Sequence, residues 1–316
     1  MQVSQLCAGT MAYGGDADES ASAAMYRAYR DAGINFFDTA NQYNGGRSET
    51  ILGGLIQGHR EELVLATKCF NPTDADVNAR GLSRRHITRA AEDSLTRLKT
   101  DRVEVYYLHQ QDASTPIEES LRALEDLVRA GKILYPAISN HAAWQTQQAL
   151  DLQNAQGWAR LQVIQPMYNL VKRQAEVEIL PMAEANGIGV VPYSPAGGGL
   201  LSGKYEHKDQ PAIGRLIEKA QYRERYGEDW MHEAAASFAA FCKQRGVHPV
   251  SMAVAWVGSH PAVTAPIIGA RNVDQLRASL DSIKIVMTPE LRAEVAALSR
   301  TPPPATDRLE EIKPKK

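Results

Sequence analysis

Residues 35–56, NFFDTANQYNGGRSETILGGLI, decide the fold prediction. An apolar pair, Phe36 and Phe37, precedes a carboxylate at Asp38, and a phenol follows at Tyr43. Two glycines then lead into a stretch whose apolar residues recur at helical spacing. The pattern predicts a strand, a loop and a helix, with two polar side chains at the end of the strand. In parallel α/β folds this end binds ligands, because the loops vary while the strands hold them in place.

Composition and charge exclude several classes of protein. The chain has 316 residues and a formal net charge of −2, which gives no electrostatic reason to expect a nucleic acid or an anionic membrane as a partner. It lacks an apolar run long enough to span a bilayer and lacks a secretory signal at its start. Three widely spaced cysteines disfavour a disulfide framework and a zinc site. We therefore expect a cytoplasmic protein, and the composition leaves its oligomeric state open.

Short apolar runs alternate with longer amphipathic segments, which is typical of repeated βα units on a parallel sheet. The predicted strands lie at 5–9, 35–39, 63–68, 103–109, 133–139, 161–165, 189–193 and 263–268. The predicted helices between them lie at 20–32, 48–56, 84–98, 117–130, 142–155, 176–186 and 272–282. Eight strands in such a repeat close into a barrel more readily than they form an open sheet. We predict an α/β fold, a (β/α)8 barrel that forms a single domain over 1–316.

Several segments are additional to this repeat. Extra helices are predicted at 231–244 and 250–257, before the last strand, and at 289–298, after the last βα unit. Residues 206–229 form a long polar insertion, and connections of this size are usually functional or mobile. The tail at 301–316 is rich in proline and charge, so we expect a packed extended strip or disorder.

Polar side chains end neighbouring strands of the predicted barrel. Asp38 ends the second strand, Lys68 the third and His109 the fourth, and Tyr43 follows in the loop after the second. In a barrel these ends face one cavity. A single lysine at a strand end is usually a solvated cap, and a single histidine is more often structural. An acid, a phenol, an ammonium and an imidazole at matching positions together favour a catalytic site.

These four groups can deliver a proton to a carbonyl oxygen. An adjacent ammonium lowers the pKa of tyrosine, which is ordinarily about 10. Asp38 would keep Lys68 charged and His109 would hydrogen-bond the carbonyl, so Tyr43 is predicted to be a general acid. The sequence shows no evident serine or cysteine nucleophile, and its acids lack the spacing of a metal-ligand set, which disfavours a metal-dependent hydrolase. The nucleophile that remains is a hydride from a cofactor.

The ends of the later strands predict a site for a nicotinamide. Ser139, Asn140 and Gln165 offer the donors and acceptors that a carboxamide requires, and Tyr193 offers a flat ring for stacking. The cofactor therefore shares the cavity of the four catalytic candidates.

Two further segments predict contacts with phosphate. Residues 193–204, YSPAGGGLLSGK, are rich in glycine, which allows close backbone approach to phosphates, and Lys204 supplies charge; a flexible loop is the alternative. Gly269 and Arg271 begin a helix after the eighth strand, and an arginine at a helix start binds phosphate. This arginine favours NADP over NAD, and a solvated surface arginine is the alternative.

The joint set of motifs resembles the aldo-keto reductases. The motifs are GTMAYGG, FFDTANQY, LATK, YYLHQQD, ISNHAAW, QPMYNL, YSPAGGGLLSGKY and IIGARNVDQL, and they run nearly from end to end. The resemblance implies a TIM barrel without a Rossmann domain, NADP(H) as cofactor, and a catalytic tetrad of Asp38, Tyr43, Lys68 and His109. It implies cofactor contacts at Thr10, Met11, Asp38, Ser139, Asn140, Gln165, Tyr193, Ser194, Gly199, Leu200, Ser202, Lys204, Gly269, Arg271, Gln275 and Ser279. The branch most similar holds potassium-channel β subunits, glyceraldehyde-phosphate reductases and Tas-like bacterial reductases.

Some positions depart from the family pattern. Gln110 and Gln111 stand where an Arg-Trp pair is common, and His141 stands where many relatives have Phe. Ser279 replaces an Asn that usually touches the adenine. Gln110, Gln111, His141 and Trp144 together predict a pocket for a polyol or a sugar-like carbonyl compound.

We therefore predict an NADPH-dependent reductase of a small-molecule aldehyde or ketone. The alternative from another class is a redox-sensing regulatory subunit, in which the same barrel holds NADP and turns over little. Both would bind the cofactor, so only turnover separates them.

Overall fold

The computed structural model describes residues 1–205 and 214–311. Its strands are β1 (Cys7–Gly9), β2 (Phe36–Asp38), β3 (Val64–Cys69), β4 (Val103–Leu108), β5 (Ile133–Ser139), β6 (Val163–Gln165), β7 (Gly189–Val190) and β8 (Ile267–Ile268). All pair in parallel, in the order β7-β6-β5-β4-β3-β2-β1-β8. This confirms the predicted (β/α)8 barrel.

Backbone hydrogen bonds join the two edges of this sheet. The amide nitrogen of Thr264 donates to the Val190 oxygen at 2.8 Å, and that of Ile267 donates to the Pro192 oxygen at 2.9 Å. Strands β7 and β8 are shorter than the predicted 189–193 and 263–268. Each predicted segment contains a proline, Pro192 or Pro266, and proline has no amide hydrogen for the strand ladder.

The helices alternate with the strands as predicted. They are α1 (Glu19–Asp31), α2 (Arg47–Leu55), α3 (Arg84–Leu98), α4 (Ile117–Arg129), α5 (Ala143–Gln156), α6 (Ile179–Asn186), α7 (Arg215–Glu218), α8 (Ala220–Arg225), α9 (Asp229–Gln244), α10 (Pro249–Gly258), α11 (Val273–Leu280) and α12 (Pro289–Ala296). The predicted extra helices are α9, α10 and α12. Helix α6 begins later than predicted, because a separate 3-10 turn occupies Gln174–Glu176. Among the described residues, no helix has the length and apolar character needed to cross a membrane.

The insertion and the tail lie partly outside the described residues. Of the insertion predicted at 206–229, residues 206–213 lie outside them, and α7 and α8 occupy much of the remainder. Of the tail, residues 301–308 form neither helix nor strand, a 3-10 turn covers Leu309–Glu311, and 312–316 lie outside.

Side chains alternate between the inside and the outside of the barrel, because the strand repeat is two residues. The inner core is apolar and contains Cys7, Phe36, Val64, Ala66, Val105, Tyr107, Ala137, Val191 and Ala265. Two residues further along β2, β3 and β4, the same alternation reaches Asp38, Lys68 and His109. The apolar interior therefore ends in a polar layer at the carboxyl ends of the strands.

Helix α2 follows the loop that contains Tyr43, and its contacts with β3 and α3 help to fix it. Glu49 of α2 is buried and accepts hydrogen bonds from Thr67 of β3 and from Arg97 of α3. Gly53 packs so closely on α3 that a Cβ there would lie 2.7 Å from the Leu98 Cα atom. Glycine at this position therefore permits the helices to approach.

Replacing Gly53 with Ala should destabilise the protein by about 1–3 kcal/mol, because the new methyl group meets backbone atoms of α3. Gly54→Ala is the matched control in the same helix. No atom among the described residues lies within 4 Å of a Cβ at Gly54, so this change should stabilise the helix by about 0.5–1 kcal/mol. Free energies of unfolding from urea titrations would test the contrast, and equal effects would contradict the packing argument.

Candidate active site

A buried ion pair lies at the centre of the polar layer. The Nζ atom of Lys68 donates to the Oδ1 atom of Asp38 at 2.5 Å and to the Thr39 carbonyl at 2.7 Å. It also lies 3.5 Å from the Tyr43 hydroxyl, so its three donors are all engaged. The Nε2 atom of Gln165 donates to the other Asp38 oxygen at 2.8 Å. Lys68 is 0% exposed, so this network forms away from solvent.

Lys68 is charged in this environment. Burial alone would lower its pKa, but the Asp38 carboxylate and the Tyr43 hydroxyl outweigh burial and leave the pKa raised. The rings of Tyr43 and Tyr107 lie 5.1 and 5.7 Å from the ammonium and favour the cation further. Tyr107 was missed by the sequence analysis, although the alternation along β4 puts it on the same face as His109.

The pKa of Tyr43 departs from the sequence-based expectation. Burial raises this pKa, Lys68 lowers it as expected, and Asp38 raises it again, so the net direction is upward. The prediction that Lys68 would bring the value below normal is therefore wrong in its net result, because burial is the larger effect. A phenol in this state keeps its proton at neutral pH and can donate it.

The loop after β2 places the Tyr43 hydroxyl against Lys68. Tyr43–Gly46 forms a 3-10 turn, and Asn44, Gly45 and Gly46 all have positive φ, at 51°, 66° and 87°. The Asn44 side chain donates to the carbonyl oxygens of Met11 and Tyr13 at 2.9 and 2.8 Å. Asn44 was also missed, although the sequence Asn-Gly-Gly favours this left-handed turn.

His109 follows β4 and lies beside Tyr43. Their ring centroids are 6.1 Å apart with an edge-to-face angle of 78°. Burial and the neighbouring Lys68 charge lower the pKa of His109 to about 3, so its imidazole is neutral at neutral pH. A neutral imidazole and a protonated phenol can both donate to one oxygen atom in the cleft.

The three residues predicted to hold a carboxamide are bound to one another. Ser139 Oγ donates to the Gln165 carbonyl at 2.8 Å, and Asn140 Nδ2 donates to Ser139 Oγ at 3.1 Å and to the His109 carbonyl at 2.9 Å. The hydroxyl of Tyr193 donates to Asn140 Oδ1 at 2.7 Å. Asn140 has a φ of 56°, an uncommon backbone state that turns its side chain into this network. The predicted residues therefore do lie together.

These groups line one large cleft. Its volume is about 1270 Å³, and it extends from Tyr43 and His109 to Arg271. The predicted cofactor residues on its walls are Met11, Asp38, Ser139, Asn140, Gln165, Tyr193, Ser194, Gly199, Ser202, Lys204, Gly269, Arg271, Gln275 and Ser279. Thr10 and Leu200 are buried and do not line it. The Thr10 hydroxyl instead contacts the Asp38 carbonyl at 3.1 Å.

Cations gather at the far end of the cleft. The 3-10 turn Gly197–Ser202 has positive φ at Gly197, Gly198 and Gly199, a backbone state that favours glycine, and these glycines present no side chains. Lys204, Arg215 and Arg271 all line the cleft, and burial together with the charges of Arg271 and Arg215 lowers the pKa of Lys204. Such a concentration of positive charge beside a glycine-rich turn suits phosphate.

Arg271 is paired with two carboxylates in this structure. Its guanidinium contacts Glu218 of α7 and lies 3.3 Å from Asp16. Its amide nitrogen donates to the side chain of Gln275 at 3.2 Å. Arg271 is therefore held in ion pairs, and it is not the free, solvated arginine of the alternative prediction.

The wall predicted to face a sugar-like substrate is built differently from the expectation. Gln110 lines the cleft, but Gln111, His141 and Trp144 do not. His141 is 7% exposed and contacts the Ser139 carbonyl through Nδ1, and Trp144 is 67% exposed. The polar lining instead includes Gln42, Asn71, Gln221, Tyr222 and Arg225, of which the last three belong to α8.

No cluster of His, Cys, Asp or Glu with the arrangement of a metal site occurs among residues 1–205 and 214–311. The cysteines Cys7, Cys69 and Cys242 are buried and free.

Comparison with known proteins identifies the family. The model of the aldo/keto reductase family matches residues 5–300. The uncharacterized oxidoreductase YrpG of Bacillus subtilis is 39% identical over 302 residues, 92% of this chain and 90% of that protein. A probable voltage-gated potassium channel subunit beta of Oryza sativa is 33% identical, with 97% and 96% covered. Aflatoxin B1 aldehyde reductase member 2 of Mus musculus is 35% identical, with 86% and 78% covered.

The chain belongs to the aldo/keto reductase family, as its sequence motifs predicted. It is an oxidoreductase by this membership, and proteins of the family typically use a nicotinamide cofactor. The similarity to a channel β subunit agrees with the predicted branch. The cytoplasmic location and the single-domain organisation stay predictions.

The low pKa of His109 makes stability depend on pH. Between the ordinary histidine pKa of about 6.5 and the folded value of about 3, the unfolded chain binds a proton at His109 that the folded protein does not. The contribution of His109 to the free energy of unfolding should therefore decrease as the pH falls, by about 1.4 kcal/mol per pH unit. Urea titrations between about pH 6.5 and about pH 4.5 should show a shallower loss for His109→Gln than for the wild type. Parallel losses in the two proteins would contradict the assigned pKa.

Proposed function

We propose that the protein is an NADPH-dependent carbonyl reductase that converts an aldehyde or ketone to an alcohol. The observation that supports this best is the Tyr43 hydroxyl, which lies 3.5 Å from the buried Lys68 ammonium at the wall of the cleft. Family membership supports carbonyl chemistry in general, and the mouse relative is itself named as an aldehyde reductase. The polar lining from Gln42, Asn71, Gln110 and Gln221 supports a hydrophilic substrate.

The residues of the cleft fit a nicotinamide dinucleotide phosphate. When bound, this cofactor supplies the hydride. Ser139, Asn140 and Gln165 would bind its carboxamide, and Tyr193 would pack on its ring. Met11 and Asp38 are proposed neighbours of this end. Ser194, Gly199, Ser202 and Lys204 would lie along the pyrophosphate, and Gly269, Arg271, Gln275 and Ser279 along the phosphorylated adenosine.

Tyr43 is proposed as the general acid. Its raised pKa keeps the proton in place until the carbonyl oxygen gains charge, and general acid catalysis contributes about 10²–10⁴-fold. His109, neutral at neutral pH, would donate a second hydrogen bond to the same oxygen and orient the carbonyl. Lys68 would stabilise the phenolate left on Tyr43, and Asp38 holds Lys68 in position.

Tyr43→Phe should lower kcat by about 10²–10⁴-fold with a small aldehyde, while NADPH still binds. Tyr107→Phe is a matched control, because the Tyr107 ring also lies near Lys68 and the substitution likewise removes one buried phenol hydroxyl. Its effect on kcat should be several-fold at most. Absorbance loss at the nicotinamide band measures turnover, and fluorescence titration measures NADPH binding. Unchanged turnover in Tyr43→Phe would refute the assigned acid.

A redox-sensing regulatory subunit is the second candidate, supported by the similarity to a probable channel subunit beta. This candidate predicts one slow cycle with bound cofactor, whereas the reductase predicts many cycles per protein molecule. A burst equal to the protein concentration, without further turnover across an aldehyde panel, would favour the regulatory role.

The preference for NADPH over NADH is proposed to depend on Arg271. Replacing Arg271 with Ala should weaken NADPH binding about tenfold or more and NADH binding much less, because only NADPH carries the second phosphate. Glu218→Gln is a second variant for this test, because it removes the carboxylate that pairs with the Arg271 guanidinium. It should leave Arg271 freer and strengthen NADPH binding. Dissociation constants for both cofactors test this, and equal losses in Arg271→Ala would contradict it.

A further inference from the structure

His141 is a buried imidazole for which the proposed mechanism has no use. It directly follows Ser139 and Asn140, two residues proposed to hold the carboxamide of the nicotinamide. The His141 side chain is 7% exposed and does not line the cleft. A direct contact with the substrate therefore does not explain it, and its hydrogen bonds have to be considered instead.

One ring nitrogen of His141 has a partner and the other has none. Nδ1 lies 2.8 Å from the Ser139 carbonyl oxygen. Because a carbonyl oxygen only accepts, Nδ1 carries the proton and donates it, and in a neutral ring Nε2 is then unprotonated. Nε2 is buried and has no hydrogen-bond partner among residues 1–205 and 214–311. Burial lowers the pKa of His141, which keeps the ring neutral at neutral pH.

The hydrogen bond from His141 spans the turn at Asn140. Asn140 has a φ of 56°, a left-handed state that costs free energy in residues other than glycine and persists where surrounding contacts hold it. The donor at His141 and the acceptor at Ser139 lie on either side of this residue in the chain. Their hydrogen bond therefore closes the turn.

The turn that His141 closes carries two side chains of the proposed carboxamide site. Ser139 Oγ donates to the Gln165 carbonyl, and Asn140 Nδ2 donates to the His109 carbonyl. These two bonds hold side chains. The bond from His141 instead holds the carbonyl of the peptide that joins Ser139 to Asn140, so a shift of that peptide would move both side chains together.

The chain is anchored after His141 as well. The amide nitrogen of Ala142 donates to the Gln145 side chain at 2.8 Å, and the Ala142 carbonyl accepts a hydrogen bond from the Thr146 hydroxyl at 3.1 Å. Helix α5 therefore begins from a fixed residue. The imidazole stands in the chain between this helix start and the end of β5, and its hydrogen bond ties the two together.

We propose that His141 is a positioning residue for the nicotinamide end of the cofactor. Its hydrogen bond to Ser139 holds the turn that presents the Ser139 hydroxyl and the Asn140 amide to the carboxamide. This inference rests on the proposed function, which supplies the cofactor, and it gives His141 no contact with cofactor or substrate. The effect is on affinity for the nicotinamide, because the cations suited to phosphate lie at the far end of the cleft.

The test compares two ligands that share the phosphate end. NADP⁺ carries the nicotinamide, and adenosine 2′,5′-bisphosphate lacks it. His141→Phe keeps a flat ring and removes the donor, so it should raise the Kd for NADP⁺ about threefold to tenfold, the effect of one neutral hydrogen bond. The Kd for the bisphosphate should stay at the wild-type value, which also shows that the variant is folded. Calorimetry measures both constants. An unchanged Kd for NADP⁺, or an equal rise for both ligands, would overturn the proposal.

His141→Asn is the matched variant. An asparagine Nδ2 atom can take the place of the histidine Nδ1 atom and donate to the same carbonyl, so the Kd for NADP⁺ should lie within about twofold of the wild type. His86→Phe controls for the loss of a buried imidazole, since His86 is 2% exposed in α3 and does not line the cleft. It should change neither constant. An asparagine variant as weak as His141→Phe, or a selective loss of NADP⁺ affinity in His86→Phe, would show that the hydrogen bond is not the cause.

A measurement on the cofactor-free protein separates this proposal from the proposed function. Nitrogen NMR of the histidine rings should show the His141 proton on Nδ1 at neutral pH, in a signal assigned by its absence from His141→Phe. A proton on Nε2 would overturn the proposal even if the protein reduces aldehydes. The Nδ1 proton, together with a selective loss of NADP⁺ affinity in His141→Phe, supports it even if no aldehyde is turned over.

Discussion

The ion pair between Asp38 and Lys68 is the interaction on which the candidate site depends. A charged pair inside a barrel is costly unless every donor and acceptor is satisfied, and breaking one partner leaves a buried charge. The Thr39 carbonyl and the Tyr43 hydroxyl accept the remaining hydrogen bonds of Lys68, and the Gln165 amide donates to Asp38. The strands β2, β3 and β6 are thereby held in one arrangement by polar contacts above the apolar core. The pair therefore organises both the sheet ends and the phenol beside them.

The barrel and its polar layer were predictable because they follow from a repeat of two residues. An alternating strand that ends in a polar residue fixes which way that residue points, and this placed Asp38, Lys68 and His109 correctly. The regular pattern ends with the strand. Asn140, directly after β5, has a φ of 56°, and His141 and Trp144 do not line the cleft that the sequence assigned to them.

Other features depend on quantities that a sequence does not contain. The net pKa of Tyr43 is a balance between burial and the Lys68 charge, and its direction required the depth of burial. Tyr222 and Arg225 come from an insertion without a clear periodic pattern, and they line the cleft where Tyr222 packs on Gly198. The catalytic and cofactor roles of the named residues stay proposals, although the structure brings most of them into one cleft.

The burial of Tyr43 gives the proposed reaction a directional preference in its pH response. Reduction uses the protonated phenol, which is the form that burial favours at neutral pH. Oxidation of the alcohol would need the phenolate at the same oxygen as a base, and burial makes this form scarce. The raised pKa of Tyr43 therefore keeps the proton donor available for reduction. The same raised pKa leaves little phenolate to act as the base for oxidation until the solution becomes alkaline.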